Sequence, residues 1–370
     1  MDNLTRMPPN PATRQTGEGR KTKMTKRAAF EIGGKTFEPG SDGIVELPVS
    51  QMPDHTPVTM AVHVFHGKRP GPVVFVSAAI HGDEVIGVEV VRRLLRAKPI
   101  ERLAGTLLAV PIVNSFGFIN HSRYLPDRRD LNRCFPGHPS GSLAARLAHI
   151  FMTEIVARSD LGIDLHSAAI RRENLPQIRL TPGNARLAEL GRAFGAPVML
   201  QSRLRDGSLR HAAEEMGCDV LLYEAGEGLR FDEYAARAGL SGILRVMHKL
   251  GMIGARGVPQ VKTPPLLSER SSWLRAPLGG LLRTYRTIGD YVTEGEGLGV
   301  VADPTGDVEE EVLSEIEGII IGRTNMPVVN EGDALFHIAL TPSEKVAEAV
   351  VGEMSAQREA APLFDEDEII

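Results

Sequence analysis

Two short motifs, distant in sequence, carry residues that could share one metal ion. His81 and Glu84 stand three residues apart in His81-Gly82-Asp83-Glu84, directly after the apolar run over 72–80. An imidazole and a carboxylate at that spacing can point at one Zn²⁺ if the chain turns where the strand ends. Two further apolar runs end at Asp164-Leu165-His166 and at Leu221-Leu222-Tyr223-Glu224. Ligands of open α/β sheets gather at the carboxyl ends of the strands, so these segments are expected at one sheet edge. His81, Glu84 and His166 then form a set of two imidazoles and one carboxylate that leaves one tetrahedral position for water. That is the stoichiometry of a catalytic zinc, one per chain, and cobalt or manganese would suit the same donors.

The chemistry of such a centre is hydrolysis. Activating water needs a base and expelling an amine needs an acid, and one carboxylate near the metal can serve both in turn. Glu224 is the preferred candidate because it lies closer to the buried strand than its competitor Glu227. Asp164, two residues before His166, is expected to orient that imidazole. Asp83 reads as the N-cap of a helix starting at Val85. The polar, Gly- and Pro-containing segment over 114–142 is long for a connection in a compact domain, which favours a functional role. Within it Asn132 and Arg133, anchored between Leu131 and Phe135, are expected to bind substrate, since Arg suits two-pronged contact with a carboxylate. Arg128 and Arg129 read as solvated charge.

Alternating periodicities predict the elements that position these residues. Strands are expected over 58–65, 73–79, 106–113, 161–165, 177–180, 197–200 and 220–223. Helices are expected over 85–97, 143–158, 185–194, 209–216 and 231–250. This is the pattern of an α/β domain over 29–257, a mainly parallel mixed sheet with helices on both faces. After a Pro- and Ser-containing linker over 258–272, residues 273–340 form short β segments with an internal repeat. Gly280-Leu281-Leu282 and Val292-Thr293-Glu294-Gly295-Glu296 are echoed by Gly318-Ile319-Ile320 and Val329-Asn330-Glu331-Gly332-Asp333. The all-β module resembles the lipoyl/biotinyl-like domain, but its central turn, Asp303-Pro304-Thr305-Gly306-Asp307, offers no lysine for a swinging arm. It is read as a structural or oligomerisation unit, which would make the protein a homo-oligomer. Residues 1–28 read as a disordered leader in which Met24 could be the start, and 341–370 as an acidic tail.

Composition narrows the function classes. A net charge of -5 over 370 residues gives no electrostatic case for nucleic acid or an anionic membrane as partner. Two cysteines, far apart, provide neither a disulfide framework nor a thiolate zinc site, which favours a reducing compartment. No apolar run reaches the roughly 18 residues of a membrane span. A cytoplasmic protein is expected.

The ordered set His81-Gly82-Asp83-Glu84, Arg123-Tyr124, Asp130-Leu131-Asn132-Arg133, Asp164-Leu165-His166-Ser167 and Glu224 resembles the succinylglutamate desuccinylase/aspartoacylase family of zinc carboxypeptidase-like hydrolases, over about 73–250. The resemblance implies His81, Glu84 and His166 as zinc ligands and Glu224 as general base and acid. It also implies that Arg123 polarises the scissile carbonyl and that Asn132 and Arg133 hold the carboxylate of the amino-acid part. The reaction it implies is hydrolysis of a small N-acyl amino acid. The segment around Glu224 and the β-rich module look like the ectoine-degradation deacylases that act on N-acetyl-diaminobutyrate. Two other readings are a metallocarboxypeptidase acting on peptides and, from another class, a non-catalytic binding or carrier protein using the β-rich module.

Overall fold

The computed structural model describes residues 27–341 and, after them, 344, 345, 347–349, 351 and 352. Residues 1–26 of the expected leader, with Met24, and the acidic end of the expected tail lie outside the described residues.

Strands β1 (Phe30–Ile32) and β2 (Lys35–Phe37) form a short hairpin. The α/β region follows with β3 (Ser41–Gln51), β4 (Pro57–His66), β5 (Arg69–Ala78), α1 (Ile86–Leu94), β6 (Ala104–Val110), α2 (Ser115–Ile119) and α3 (Leu143–Glu154). It continues through β7 (Leu161–Ala168), β8 (Arg172–Leu180), α4 (Ala185–Phe194), β9 (Val198–Gln201), α5 (Leu209–Glu215), β10 (Asp219–Glu227) and α6 (Glu233–Lys249). The β-rich region contains β11 (Leu266–Ser268), β12 (Ser271–Arg275), β13 (Gly280–Thr284), β14 (Tyr291–Val292) and β15 (Gly297–Ala302). It ends with β16 (Glu309–Leu313), β17 (Gly318–Thr324), β18 (Val328–Val329) and β19 (Ala334–Leu340).

The sheet is mixed. β6, β5, β7 and β10 are parallel neighbours at its centre, and β3, β4 and β8 join antiparallel. Helices cover both faces because each presents an apolar stripe to the sheet. Val90, Leu94, Leu187, Phe194, Ile243 and Met247 from α1, α4 and α6 fill one side. Leu147, Phe151, Leu209 and Ala213 from α3 and α5 fill the other. Among the described residues five helices start on side-chain caps: Asn114, Ser142, Asn184, Ser208 and Asp232 each accept from a backbone N–H one turn on. No helix among the described residues is long and apolar enough to cross a membrane.

Two features depart from the periodicity reading. The linker is not free chain, since β11 pairs in parallel with β9. The β-rich region is likewise not a separate body, because β17 pairs antiparallel with β8 and extends the sheet of the α/β region into β19 and β12. Pairing partners are set by tertiary contact, which hydrophobic period does not encode. The internal repeat has a direct structural counterpart: β14 of the first unit pairs with β17 of the second, and β18 of the second pairs with β13 of the first.

Candidate active site

The His81 loop is built by close backbone approach. β5 ends at Ala78, and the N–H groups of Val113 and Asn114 donate to the carbonyls of Ala78 and Ala79. Ala79 turns the chain out of the sheet with φ of 52°. Gly82 is needed next, since a Cβ there would sit 1.9 Å from the Gly117 carbonyl carbon. The Glu84 N–H donates to the His81 carbonyl at 3.2 Å, a turn that precedes α1. Asp83 does not cap that helix: the N-cap is Val85, without a side-chain bond. Asp83 stands two residues ahead of the cap position, out of reach of the first free amides, and its buried Oδ1 has no partner among the described residues.

β7 supplies the second imidazole, and register supplies the carboxylate beside it. β7 and β10 run parallel with Asp164 opposite Leu222 and His166 opposite Glu224. His81, Glu84 and His166 are all buried, and their donor atoms lie within 4.8 Å of one another. The Nδ1 atoms of His81 and His166 each lie 2.7 Å from a different oxygen of Glu84. Each imidazole is held from behind by its other nitrogen: His81 Nε2 is 3.0 Å from Asp130 Oδ1 and His166 Nε2 is 2.7 Å from Asp164 Oδ2. The Ser77 hydroxyl in turn donates to Asp164 at 2.8 Å. Arg123 reaches Asp130 at 3.0 Å and Glu84 at 3.3 Å.

The electrostatics follow from this packing. Burial alone would push the His81 and His166 imidazoles down and the Glu84 carboxyl up. Mutual attraction outweighs it, so both imidazoles are raised above their ordinary value and Glu84 is held well below the usual carboxylate range. A cluster that attracts protons this strongly also presents a divalent cation with two imidazole nitrogens and a carboxylate at close range. The carboxylates behind both imidazoles are the arrangement that fixes and strengthens metal-binding His. The donor set therefore fits a divalent ion such as Zn²⁺.

His81, Glu84, His166, Arg123, Asn132, Arg133 and Glu224 all line one cavity of about 720 Å³. Asn132 is anchored by its Oδ1, which accepts from the Leu209 N–H at 2.9 Å. Arg133 bonds the Asn132 carbonyl at 2.6 Å. Glu224 accepts from Asn174 at 2.9 Å. Glu227 is engaged elsewhere, by the Arg171 N–H, Asn325 and Arg230, and does not line the cavity. Sequence reasoning gave no role to Asp130, although it quoted the motif containing it, and passed over Asn174, Arg179, Arg210 and Trp273. A signal for two of these existed. β8 is largely buried yet carries Asn174 and Arg179, and polar side chains inside a buried strand demand partners. Trp273 comes from β12, so the β-rich region walls the cavity rather than standing apart.

Residues 70–250 match the family model described as the succinylglutamate desuccinylase/aspartoacylase catalytic domain. The region over 70–250 belongs to this family. Within the succinylglutamate desuccinylase/aspartoacylase family, the N-alpha-acetyl-L-2,4-diaminobutyric acid deacetylase of Halomonas elongata is 26% identical over 88% of this chain and 98% of its own length. The succinylglutamate desuccinylase of Pseudomonas aeruginosa is 31% identical over 44% of this chain and 53% of its own. Among solved structures, the product-bound ectoine utilization protein EutE (DoeB) of Ruegeria pomeroyi superposes with a TM-score of 0.74 at 25% identity, over 81% of this chain and 95% of that one. A succinylglutamate desuccinylase/aspartoacylase from Rhodobacter sphaeroides gives 0.72 at 26% identity, over 80% and 94%. These family members share the mixed α/β sheet described above.

Proposed function

We propose that this protein is a metal-dependent amidohydrolase that removes an acyl group from a small N-acyl amino acid. One observation carries the reading: the register of β7 and β10 places Glu224 beside His166, in the same cavity as a buried cluster of His81, Glu84 and His166. The named activities of the family members above agree with it. Zn²⁺ held by His81, Glu84 and His166 would supply Lewis acidity that makes water nucleophilic near neutral pH.

The remaining roles belong to the chain's own side chains. Glu224 takes the proton from the attacking water and returns it to the departing amine. Arg123, braced by Asp130, presents fixed N–H donors to the carbonyl oxygen as negative charge develops on it. Asn132 and Arg133 hold the carboxylate of the amino-acid part. Asp164 and Asp130 keep the two imidazoles in orientation. The β-rich region, whose Asp303–Asp307 turn lacks a lysine, acts as a wall of the cavity, not as a carrier arm, and a cavity closed in this way suits small substrates better than peptides.

The test is metal analysis combined with a deacylation screen. The purified chain is expected to hold about one zinc, and to hydrolyse N-acyl amino acids in preference to blocked dipeptides. Glu224→Gln should keep the metal and lose roughly 10²–10⁴-fold in turnover. Normal turnover in that variant rejects the assigned base, and a chain that binds no divalent ion rejects the metal centre.

A further inference from the structure

The charge of the chain is divided unevenly. Residues 353–370 hold six acids and one arginine, a net charge of -5. That equals the charge of all 370 residues, so the rest of the chain is neutral. The acids culminate in Asp365-Glu366-Asp367-Glu368, preceded by Leu363-Phe364.

The neutral remainder collects positive charge at one place. Eight of the residues lining the cavity are arginines, against three carboxylates. Of the inner ones, Arg123 pairs with Glu84 and Asp130, and Arg179 with Glu224. Arg133, Arg203, Arg205 and Arg275 are exposed, and none of these four has an ion-pair partner among the described residues. Arg133 and Arg275 bond backbone carbonyls, those of Asn132 and Gly332. Asp206, beside Arg205, lies 3.7 Å from His211, and Asp333 closes its own turn on Asn330.

Three segments bring these arginines to one rim. A Cβ on Gly207 would meet the Arg133 carbonyl oxygen at 2.6 Å, and the Phe135 N–H donates to the Gly207 carbonyl. The turn carrying Arg133 is thereby joined to the loop carrying Arg203 and Arg205. Arg275, at the end of β12, adds the β-rich side, and Leu204 and Trp273 add apolar surface. Charge of one sign around a cleft focuses the field at its mouth.

The acidic tail leaves the described structure near this rim. Ala347 is buried, and Val351 packs in one apolar cluster with Val198 and Leu200 of β9. Arg203 follows Leu200 by three residues, about 10 Å of chain. From Gly352 to Asp365 the chain can bridge about 45 Å, enough to pass around the end of β9.

We propose that the rim formed by Arg133, Arg203, Arg205 and Arg275 is a docking surface for the acidic segment 365–368 of the same chain. Four carboxylates face four guanidiniums, and the apolar pair before them suits Leu204 and Trp273. Each exposed ion pair is weak, but attachment to the same chain gives the segment an effective concentration on the order of 1 mM. The docking stands apart from the deacylase reading, and its consequence rests on that reading. Arg133 is the group proposed to hold the substrate carboxylate, so the docked tail competes with substrate and raises KM without changing kcat.

Trp273 is the chain's one tryptophan and lies in the rim, so quenching of its fluorescence by acrylamide, a neutral probe, reads whether the rim is covered. Three full-length proteins are compared: the wild type, a tail variant with Asp365→Asn, Glu366→Gln, Asp367→Asn and Glu368→Gln, and a rim variant with Arg203→Gln and Arg205→Gln. The salt is raised from about 0.02 M to about 0.5 M, which shortens the Debye length from roughly 20 Å to roughly 4 Å. At low salt both variants are expected to be quenched about twofold more strongly than the wild type, because each has lost one side of the charge match. At high salt all three should be alike. With the zinc-loaded proteins and the best substrate of the deacylation screen, the tail variant should show a KM roughly three- to tenfold lower at low salt and an unchanged kcat, the effect of removing a tethered competitor.

Equal quenching of the wild type and the tail variant at low salt overturns the docking. A change in the tail variant without one in the rim variant overturns this surface as the docking place. Shielding that grows with protein concentration assigns the rim to the tail of a second copy and overturns docking within one chain. Altered quenching with equal KM keeps the docking and overturns the competition. Altered quenching with no hydrolysis by any of the three keeps the docking and overturns the deacylase reading, whereas hydrolysis with equal quenching does the reverse.

Discussion

Asn174 Nδ2 donates to Glu224 Oε2 at 2.9 Å across a bulge between β8 and β10, where the register shifts between Glu224 and Gly226. The bulge matters because it re-aims a side chain at the end of a strand. Glu224 is held by this one short bond and, at 3.6 Å, by Arg179. In the role proposed for it, its carboxylate must keep one orientation while it accepts and returns a proton. Asn174→Ala should therefore lower kcat by about 10- to 100-fold, the cost of a small misplacement at a reacting group, with KM changed less than threefold. Steady-state kinetics separates the two. A rise in KM alone would place Asn174 in substrate binding instead.

Asp130 is argued to act through His81. It accepts from the His81 imidazole and from Arg123, so it couples the proposed metal cradle to the group proposed to face the substrate carbonyl. Asp130→Ala is expected to weaken zinc affinity by about 10- to 100-fold, the usual effect of removing a carboxylate behind a ligand His. Competition with a chromogenic chelator reads this directly. Affinity equal to wild type would mean that His81 is oriented by its loop alone.

How much of this was legible follows from what sequence period can encode. His81, Glu84, His166 and Glu224 were readable because each ends an apolar run that can only be a buried strand, and strand ends in such sheets converge. Helix boundaries such as Ala185–Phe194 were readable from the apolar period. β3 was missed although Val45, Leu47 and Val49 alternate with outward positions in the period of a half-buried strand, since Pro48 counts against a strand interior. That Arg179 and Arg210 line one cavity was not legible, since they come near each other only when β8 and α5 are brought together by the sheet. The role of Trp273 in the cavity depends on β17 pairing with β8, a contact about 150 residues apart.

Metal and pH should act together on stability. In the metal-free chain the raised His81 and His166 contribute stability below their ordinary value of 6.5 and lose it as pH rises through the folded value. The depressed Glu84 contributes stability above 4.5 and loses it as pH falls through its folded value. Zinc needs both imidazoles deprotonated, so its contribution grows as theirs declines. Thermal melts with and without chelator should differ little near pH 5.5 and most above pH 7.5. At a thousandfold excess over Kd, zinc would add about 4 kcal/mol. A gap independent of pH would mean that the imidazoles do not bind the ion.

His337 provides a stability prediction away from the chemistry. Its ring stacks on Trp273 at 4.4 Å, Nε2 is 2.9 Å from the Ser271 hydroxyl, and Nδ1 has no partner among the described residues. Burial, then the charge of Arg179, lowers its pKa to about 3. The unfolded chain takes up a proton near pH 6.5 that the folded chain refuses until about pH 3. Between those values the unfolded state binds more protons, so stability falls as pH falls, by about 1.4 kcal/mol per unit. From pH 7 to pH 5 the wild type should lose about 2 kcal/mol more than His337→Gln, measured by urea denaturation at both values. Equal losses would show that His337 accepts its proton within the fold, which the adjoining Arg179 and the stacked Trp273 argue against.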